Sequence, residues 1–115
     1  MTRSKLVALD EAVAGIADGS KVALGGWIFN AQPMALVRAR IRKGARDLHL
    51  IPAPGSIAPD MLIGAGCARS GACVFISFEQ LGLAHNFRRR AEDGSLEVTD
   101  LDGPGVMART ACGDV

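Results

Sequence analysis

The sequence predicts an α/β protein with an open, mostly parallel sheet and helices on both faces. Three observations favour this class. Helix-like and strand-like stretches alternate along the chain. Dipeptides ending in glycine recur at 18–19, 43–44, 70–71 and 93–94, each between a helical pattern and a strand-like run. Glycine supplies 14 of 115 residues and aromatic residues only 4%, which suits close helix–sheet packing better than an all-β sandwich.

The spacing of apolar residues gives the expected elements in chain order. They are helix 10–18, strand 21–24, a helix from residue 33, strand 47–51, helix 61–65, strand 72–76, helix 86–92, strand 96–98 and helix 106–111. Gly19 ends the first helix, because glycine readily adopts the left-handed conformation found after a helix C-terminus. Pro33 suits the first turn of the second helix, where its missing N–H breaks no hydrogen bond.

The later elements follow from breakers and apolar runs. A loop with three prolines, 52–59, precedes the third helix. Residues 72–76 form a continuous apolar run, typical of a strand covered on both faces of a parallel sheet. In the fourth helix Phe87 and Ala91 share the inward face. Gly-Pro-Gly after Asp102 separates the last strand from the last helix.

Charge, cysteine usage and hydropathy exclude several classes of function. Thirteen Lys and Arg against twelve Asp and Glu give a net charge of +1, which makes no case for nucleic-acid binding. Three scattered cysteines predict neither a disulfide framework nor a metal site. No run of about 18 apolar residues could cross a membrane, and the first residues lack the apolar core of a signal peptide. We therefore expect a cytoplasmic protein without a metal.

The most unusual loop, residues 25–33, follows the first strand. Ligands of open α/β sheets bind beyond the carboxyl ends of the strands. The glycine pair Gly25-Gly26 leaves backbone N–H groups that can approach an anionic oxygen, and the helix beginning at Pro33 points its N-terminus at the same space. Trp27 would add an apolar wall. A tight strand-to-helix turn with Trp27 in the core is the simpler interpretation, and spacing alone leaves it open.

Four further residues are candidates for substrate-side loops. Glu79 follows the apolar run of 72–76 and would lie on the ligand side of the sheet, although a solvated loop carboxylate is the alternative. Asn30 and Gly55 lie in the loops after the first two strands. Ser56 has no His and Asp partners at a recognisable spacing, so it does not indicate a catalytic triad.

Residues 18–33 (DGSKVALGGWIFNAQP) resemble the signature of family I coenzyme A transferases. That signature has Asp or Asn before Gly, two free residues, three apolar residues, Gly-Gly-Phe, three free residues, Gly, one free residue and Pro. Here Trp27 replaces the Phe and Ala31 replaces the second Gly. Trp at this position is similar to the glutaconate CoA-transferase branch and its relatives in steroid-ring degradation. Residues 60–66 and 86–89 also resemble the A chain of that two-subunit branch.

The resemblance implies a mechanism and a partner. In this family an active-site Glu attacks an acyl-CoA, and CoA passes through a glutamyl-CoA thioester to a carboxylic acid acceptor. In two-subunit members that Glu belongs to the B subunit, so no catalytic nucleophile is expected in this chain. Coenzyme A is a substrate, and no further cofactor is implied. Gly25, Gly26 and Trp27 would bind the thioester oxygen as negative charge develops on it.

Residues 1–115 are similar to the N-terminal part of a single A-subunit domain, because the Ala-rich stretch and Pro-Phe strand of longer A subunits do not follow Asp102. The leading hypothesis is a CoA-transferase A subunit that works with a B subunit on an acyl-CoA and a carboxylic acid, and that is inactive alone. One alternative is a subunit of a hydrolase that opens rings on CoA thioesters in steroid degradation. The other is a non-catalytic, truncated α/β remnant.

Overall fold

A parallel sheet organises the computed structural model, which describes residues 4–52 and 54–112. The strands in these residues are β1 (Lys21–Leu24), β2 (Leu48–Pro52), β3 (Ala68–Cys73) and β4 (Glu97–Asp100). The helices are α1 (Leu9–Ala14), α2 (Met34–Arg42), α3 (Ile57–Gly64), α4 (His85–Glu92) and α5 (Gly103–Ala111), with a 3₁₀ turn at Glu79–Leu81. All neighbouring strands are parallel and follow the order β1-β2-β3-β4. The predicted α/β class is confirmed.

α1 and the helices that connect the strands form one layer. α1 contacts α2, α2 contacts α3, and α3 contacts α4. Parallel strands in sequential order, joined by crossovers of one hand, place every connecting helix on the same face. α5 follows the last strand and lines clefts with residues of the opposite face. Within the described residues, α5 therefore supplies the second helical layer.

The hydrophobic core lies between the sheet and the layer of connecting helices. Alternate strand residues face it, so Leu24, Leu48 and Leu50 are all buried. From the helices, Val37 and Ile63 pack against them. Burying a side chain of this size stabilises a fold by about 1.5–3 kcal/mol.

The opposite face of the sheet carries a row of polar side chains. The register places Lys21 beside His49, His49 beside Ser70, and Ser70 beside Glu97. His49 Nδ1 lies 2.5 Å from Ser70 Oγ, so the imidazole is held by the neighbouring strand. The two faces of the sheet thus differ in polarity at this level.

Asp18 and Gly19 hold the amino ends of β1 and β2 together. Asp18 Oδ1 accepts hydrogen bonds from the Arg46 backbone N–H at 3.0 Å and from Arg40 Nη2 at 3.1 Å. Gly19 has a φ of +77° and donates its N–H to the Arg46 carbonyl at 3.1 Å. The Asp-Gly start of the signature is therefore a structural clamp, at the opposite end of β1 from the glycine pair.

The third strand lies earlier in the chain than predicted. The prediction of 72–76 is wrong, because β3 is Ala68–Cys73. Gly66, with a φ of +75°, ends the preceding turn, and the chain enters the sheet soon after it. The strand then ends before the apolar run does, so Val74 and Phe75 are exposed rather than covered on both faces.

Three helices also differ from their predicted ranges. The first is shorter than 10–18 and ends at Ala14. The third begins at Ile57 inside the supposed proline-rich loop. Pro59 is compatible with it, because the first-turn N–H groups of a helix have no partner within the helix. The last begins at Gly103, inside the predicted Gly-Pro-Gly breaker, because the Asp102 side chain caps it and proline is tolerated in a first turn. No helix in the described parts of the chain is long and apolar enough to cross a bilayer.

Candidate functional site

Three loops meet beyond the carboxyl ends of β1, β2 and β3. The first and third touch through Phe29 and Phe78, whose ring centroids are 6.3 Å apart. The second and third are joined at Gly55, whose N–H donates to the Phe75 carbonyl at 3.2 Å and whose carbonyl accepts from the Ser77 N–H at 3.0 Å. The structure thus gathers the loops that carry the sequence candidates at the edge where α/β sheets bind ligands.

The loop after β1 closes into a tight turn. Trp27 and Asn30 exchange two backbone hydrogen bonds, of 2.9 and 2.7 Å. Gly26 precedes this turn with a φ of +103°, and a Cβ there would lie 2.8 Å from the Ala31 carbonyl oxygen. Glycine is therefore required at position 26 by both conformation and space.

Two residues of the same loop have left-handed backbone without being glycine. Ile28 has a φ of +50° and Ala31 a φ of +54°. Such conformations cost roughly 1–3 kcal/mol each and cluster at functional sites. The signature has Gly where this chain has Ala31, and the structure gives the reason, because glycine adopts a positive φ without a steric penalty.

Several N–H groups of this loop, those of Gly25 and Gly26 among them, have no acceptor within the described residues. The Trp27 N–H is taken by the Asn30 carbonyl. Neither Gly25 nor Gly26 donates its N–H to an acceptor within residues 4–52 and 54–112. The Trp27 side chain is 65% exposed, so it is not a core residue, and it forms a wall beside the loop.

Glu79 lies exposed on the loop after β3. It has a φ of +54° and begins the 3₁₀ turn, and its N–H donates to Ser77 Oγ at 2.9 Å. An open depression separates this loop from the first one; its lining is Phe29, Phe78, Glu79, Gln80 and Leu81. The structure therefore places a carboxylate, in a strained backbone, beside the loop of the glycine pair.

The other three candidates do not present side chains to this depression. Gly55 is buried, and a Cβ there would lie 2.9 Å from Ile76 Cγ1, so glycine allows close packing of two loops. Ser56 is fully buried at the start of α3, and its hydroxyl has no hydrogen-bond partner in the described structure. Asn30 is exposed, and its backbone closes the turn with Trp27.

A buried carboxylate that the sequence showed only as part of a motif positions α4. Asp60 is 5% exposed, and its Oδ2 accepts from Asn86 Nδ2 at 2.9 Å. Its Oδ1 accepts from the Phe87 backbone N–H at 2.8 Å. The residue before α4 is Ala84, which has no polar side chain to cap the helix. Asp60 on α3 therefore supplies the cap that α4 lacks.

Gly64 makes this contact possible. A Cβ at Gly64 would lie 2.6 Å from Asn86 Nδ2, so any larger residue would push the amide away. α4 begins where the Glu79 loop ends, and the Ala84 N–H donates to the Ile76 carbonyl at 3.2 Å. The two motifs thus lock together and fix one end of that loop. Their pairing could not be found from spacing, because they lie 26 residues apart.

The buried cysteines are not nucleophiles. Burial raises the pKa of the Cys73 thiol to about 11, and the nearby Asp100 carboxylate adds to the rise. Burial also raises the pKa of Cys67. Both thiols stay protonated at neutral pH, whereas a reactive cysteine needs a lowered pKa. Among the described residues, no group of three or more His, Cys, Asp or Glu side chains could hold a metal ion.

The sequence and the fold place this chain in a known family. The model of the coenzyme A transferase family matches residues 6–114. The chain belongs to the coenzyme A transferase family. The resemblance seen in the signature and the two motifs is confirmed.

Two curated relatives and one solved structure show the range of the likeness. The chain is 35% identical over 100 residues to the A subunit of 3-oxoadipate CoA-transferase from Pseudomonas knackmussii, covering 86% of this chain and 35% of the relative. It is 31% identical over 103 residues to the cholesterol ring-cleaving hydrolase IpdA subunit of Rhodococcus jostii, covering 87% of this chain and 34% of that relative. The structure of glutaconate coenzyme A-transferase from Acidaminococcus fermentans superposes on this chain with a TM-score of 0.82 at 28% identity. The match covers 88% of this chain and 32% of that structure's chain. The chain spans about a third of the length of the curated relatives named here.

Proposed function

We propose that this chain is the N-terminal part of a CoA-transferase A subunit, which moves CoA from an acyl-CoA thioester to a carboxylic acid. The observation that carries the proposal is the glycine turn. Gly25 and Gly26 offer N–H groups with no acceptor in the described structure, at the ligand-binding edge of the sheet. Family membership supports the same chemistry.

The glycine pair would act on the thioester oxygen. When a carboxylate attacks the thioester carbonyl, the carbon becomes tetrahedral and negative charge develops on the oxygen. Two N–H groups already fixed by a rigid turn stabilise that charge without reorganising. Losing one such donor typically costs about 3–4 kcal/mol of transition-state stabilisation.

The attacking glutamate would belong to a partner B subunit. Two features support a partner at this edge. Phe29 and Leu81 are exposed around the loops, and exposed apolar patches mark interaction sites. The 3-oxoadipate CoA-transferase relative is named as an A subunit, which implies a second kind of subunit in that enzyme. We place the assembly in the cytoplasm, where three free thiols suit a reducing compartment.

Glu79 favours a second candidate function. A carboxylate beside the thioester loop could activate water, which would make the assembly a hydrolase acting on a CoA thioester. The IpdA subunit of Rhodococcus jostii, a relative of this chain, is named as part of a ring-cleaving hydrolase. Exchange of Glu79 for Gln separates the two functions, since only the hydrolase would lose its base.

The test is an assay of this chain purified together with a B subunit. We expect acyl-CoA plus acetate to give acetyl-CoA with the pair and nothing with the chain alone. Transfer by the isolated chain would contradict the assignment of the nucleophile to the partner. Release of free CoA without an acceptor, lost in Glu79→Gln, would establish the hydrolase instead. A chain that has neither activity and binds no B subunit would support the non-catalytic remnant.

A further inference from the structure

An apolar groove begins at Trp27 and runs between α5 and the residues that follow β3. Its lining consists of Trp27, Pro54, Val74, Phe75, Gly103, Val106 and Met107. Its volume is about 390 Å³. Pockets that hold small ligands measure about 300–1,000 Å³ and are mostly apolar, so this groove has the size and character of a ligand site.

None of the described residues that line the groove carries a charge. An acyl group that ends in a carboxylate would lose its water there without gaining a partner, which is unfavourable. The cations of the neighbouring region line a different cleft, where Arg109 of α5 lies with Lys21. The groove therefore disfavours acyl groups that carry a free carboxylate at the end away from the thioester.

The groove is continuous with the glycine turn through a single residue. The Trp27 backbone closes the turn that follows Gly26, and the Trp27 side chain is one wall of the groove. A thioester oxygen held by the N–H groups of the glycine pair would direct the acyl chain along that indole. The position of the groove beside the glycine pair and its apolar lining thus both indicate the acyl chain of a thioester as its occupant.

We propose that this groove binds the acyl group of the thioester and that the preferred substrate carries an apolar acyl chain. This inference rests on the proposed function, because it assumes that Gly25 and Gly26 bind a CoA thioester. It adds the substrate class, which family membership leaves open.

Trp27 provides the measurement, because it is the only tryptophan in the chain. Its fluorescence is followed while the full chain is titrated with isovaleryl-CoA, glutaryl-CoA and free CoA. The first two both carry five-carbon acyl groups, but isovaleryl ends in an uncharged, branched isopropyl group and glutaryl ends in a carboxylate. We expect isovaleryl-CoA to bind with a Kd at least about tenfold lower than that of glutaryl-CoA.

A matched pair of variants locates the binding. Met107 is 72% exposed on the wall of the groove, and Leu6 is 91% exposed at the other end of the chain. Met107→Asp should weaken isovaleryl-CoA binding about tenfold or more and leave the binding of free CoA unchanged. Leu6→Asp adds the same charge outside the groove and should change neither. Circular dichroism of both variants checks that the fold is intact.

Three results would overturn the inference: equal Kd values for the two thioesters, Met107→Asp binding like the unaltered chain, or no response of Trp27 to any thioester. Loss of isovaleryl-CoA binding when a B subunit is added would also overturn it, since the partner would then occupy the groove. The transferase proposal fails separately. If the assembly with a B subunit transfers CoA but prefers glutaryl-CoA, only the proposal that the groove binds an apolar acyl chain is refuted. If it binds isovaleryl-CoA as expected but transfers no CoA, only the transferase proposal is refuted.

Discussion

The two ends of β1 use glycine for opposite purposes. At the amino end Gly19 completes a clamp in which Asp18 accepts hydrogen bonds from the Arg40 side chain and the Arg46 backbone. At the carboxyl end Gly26 leads into a turn with two strained residues, Ile28 and Ala31, and with backbone donors that no described residue accepts. One end stabilises the fold, whereas the other holds two non-glycine residues in a left-handed conformation at a cost in stability. Proteins typically accept such a cost at functional sites.

The strongest test compares Gly26→Val with Gly19→Val. Valine at 26 would collide with the Ala31 carbonyl and displace the loop donors, so we expect the CoA-transferase activity of the proposed assembly with a B subunit to fall at least about 100-fold. A Cβ at Gly19 meets nothing within 4 Å, so valine there adds only the strain of a positive φ, about 1–2 kcal/mol. Thermal unfolding and activity per folded molecule are measured for both. Similar activity losses in the two variants would remove the distinction between the ends of β1.

Substitution of Asp60 tests whether this buried carboxylate, near the carboxyl edge of the sheet, stabilises the fold. Asp60→Ala removes the acceptor for Asn86 Nδ2 and the Phe87 N–H. We expect the free energy of unfolding to fall by about 2–4 kcal/mol, since buried donors are left unpaired. Asp18→Ala, at the more exposed clamp, should cost only about 1 kcal/mol. Urea unfolding measures both, and a smaller loss for Asp60→Ala than for Asp18→Ala would contradict this ranking.

A smaller effect of opposite sign is expected at Ala31. Ala31→Gly relieves a left-handed alanine, so we expect a gain in stability of about 0.5–1 kcal/mol. The control is Ala108→Gly inside α5, where glycine should cost about 0.5–1 kcal/mol. Thermal denaturation compares the two. If Ala31→Gly is destabilised as much as the control, the turn is not strained at this residue.

An effect confined to alkaline pH concerns Cys73, which ends β3 beneath the same edge. Its folded pKa of about 11 lies above the ordinary value of 9.0, so the folded state holds the proton more tightly than the unfolded state. That stabilisation is complete below about pH 9 and is lost as the pH rises toward 11. Cys73→Ala should remove this part of the alkaline loss in urea unfolding. An unchanged pH profile would show that Cys73 does not contribute.

The reactivity of the thiols checks the same burial more directly. At about pH 8, iodoacetamide should modify exposed Cys112 and leave Cys73 untouched. Mass spectrometry of the digested chain identifies the modified residue. Rapid alkylation of Cys73 would mean that the carboxyl edge opens readily in solution.

Some features followed from the sequence because their causes are local. β1 lies where predicted, since its short apolar run and the flanking glycines act within a few positions. The signature located the glycine turn, and the positive φ of Gly26 is a property of that residue and its neighbours. The glycine pair was therefore a sound prediction of where the chain bends, whereas its role in binding a thioester stays a prediction.

Other features required the tertiary structure, because they depend on residues far apart in the chain. Ala68–Cys73 has a small and polar sequence that becomes a strand only between β2 and β4, whereas the more apolar run after it leaves the sheet. The exposure of Trp27 and the burial of Ser56 depend on which loops pack together. Sequence by itself determined the alternation of elements and the glycine turn through short-range sterics; only long-range packing decided register, burial and the shape of the groove.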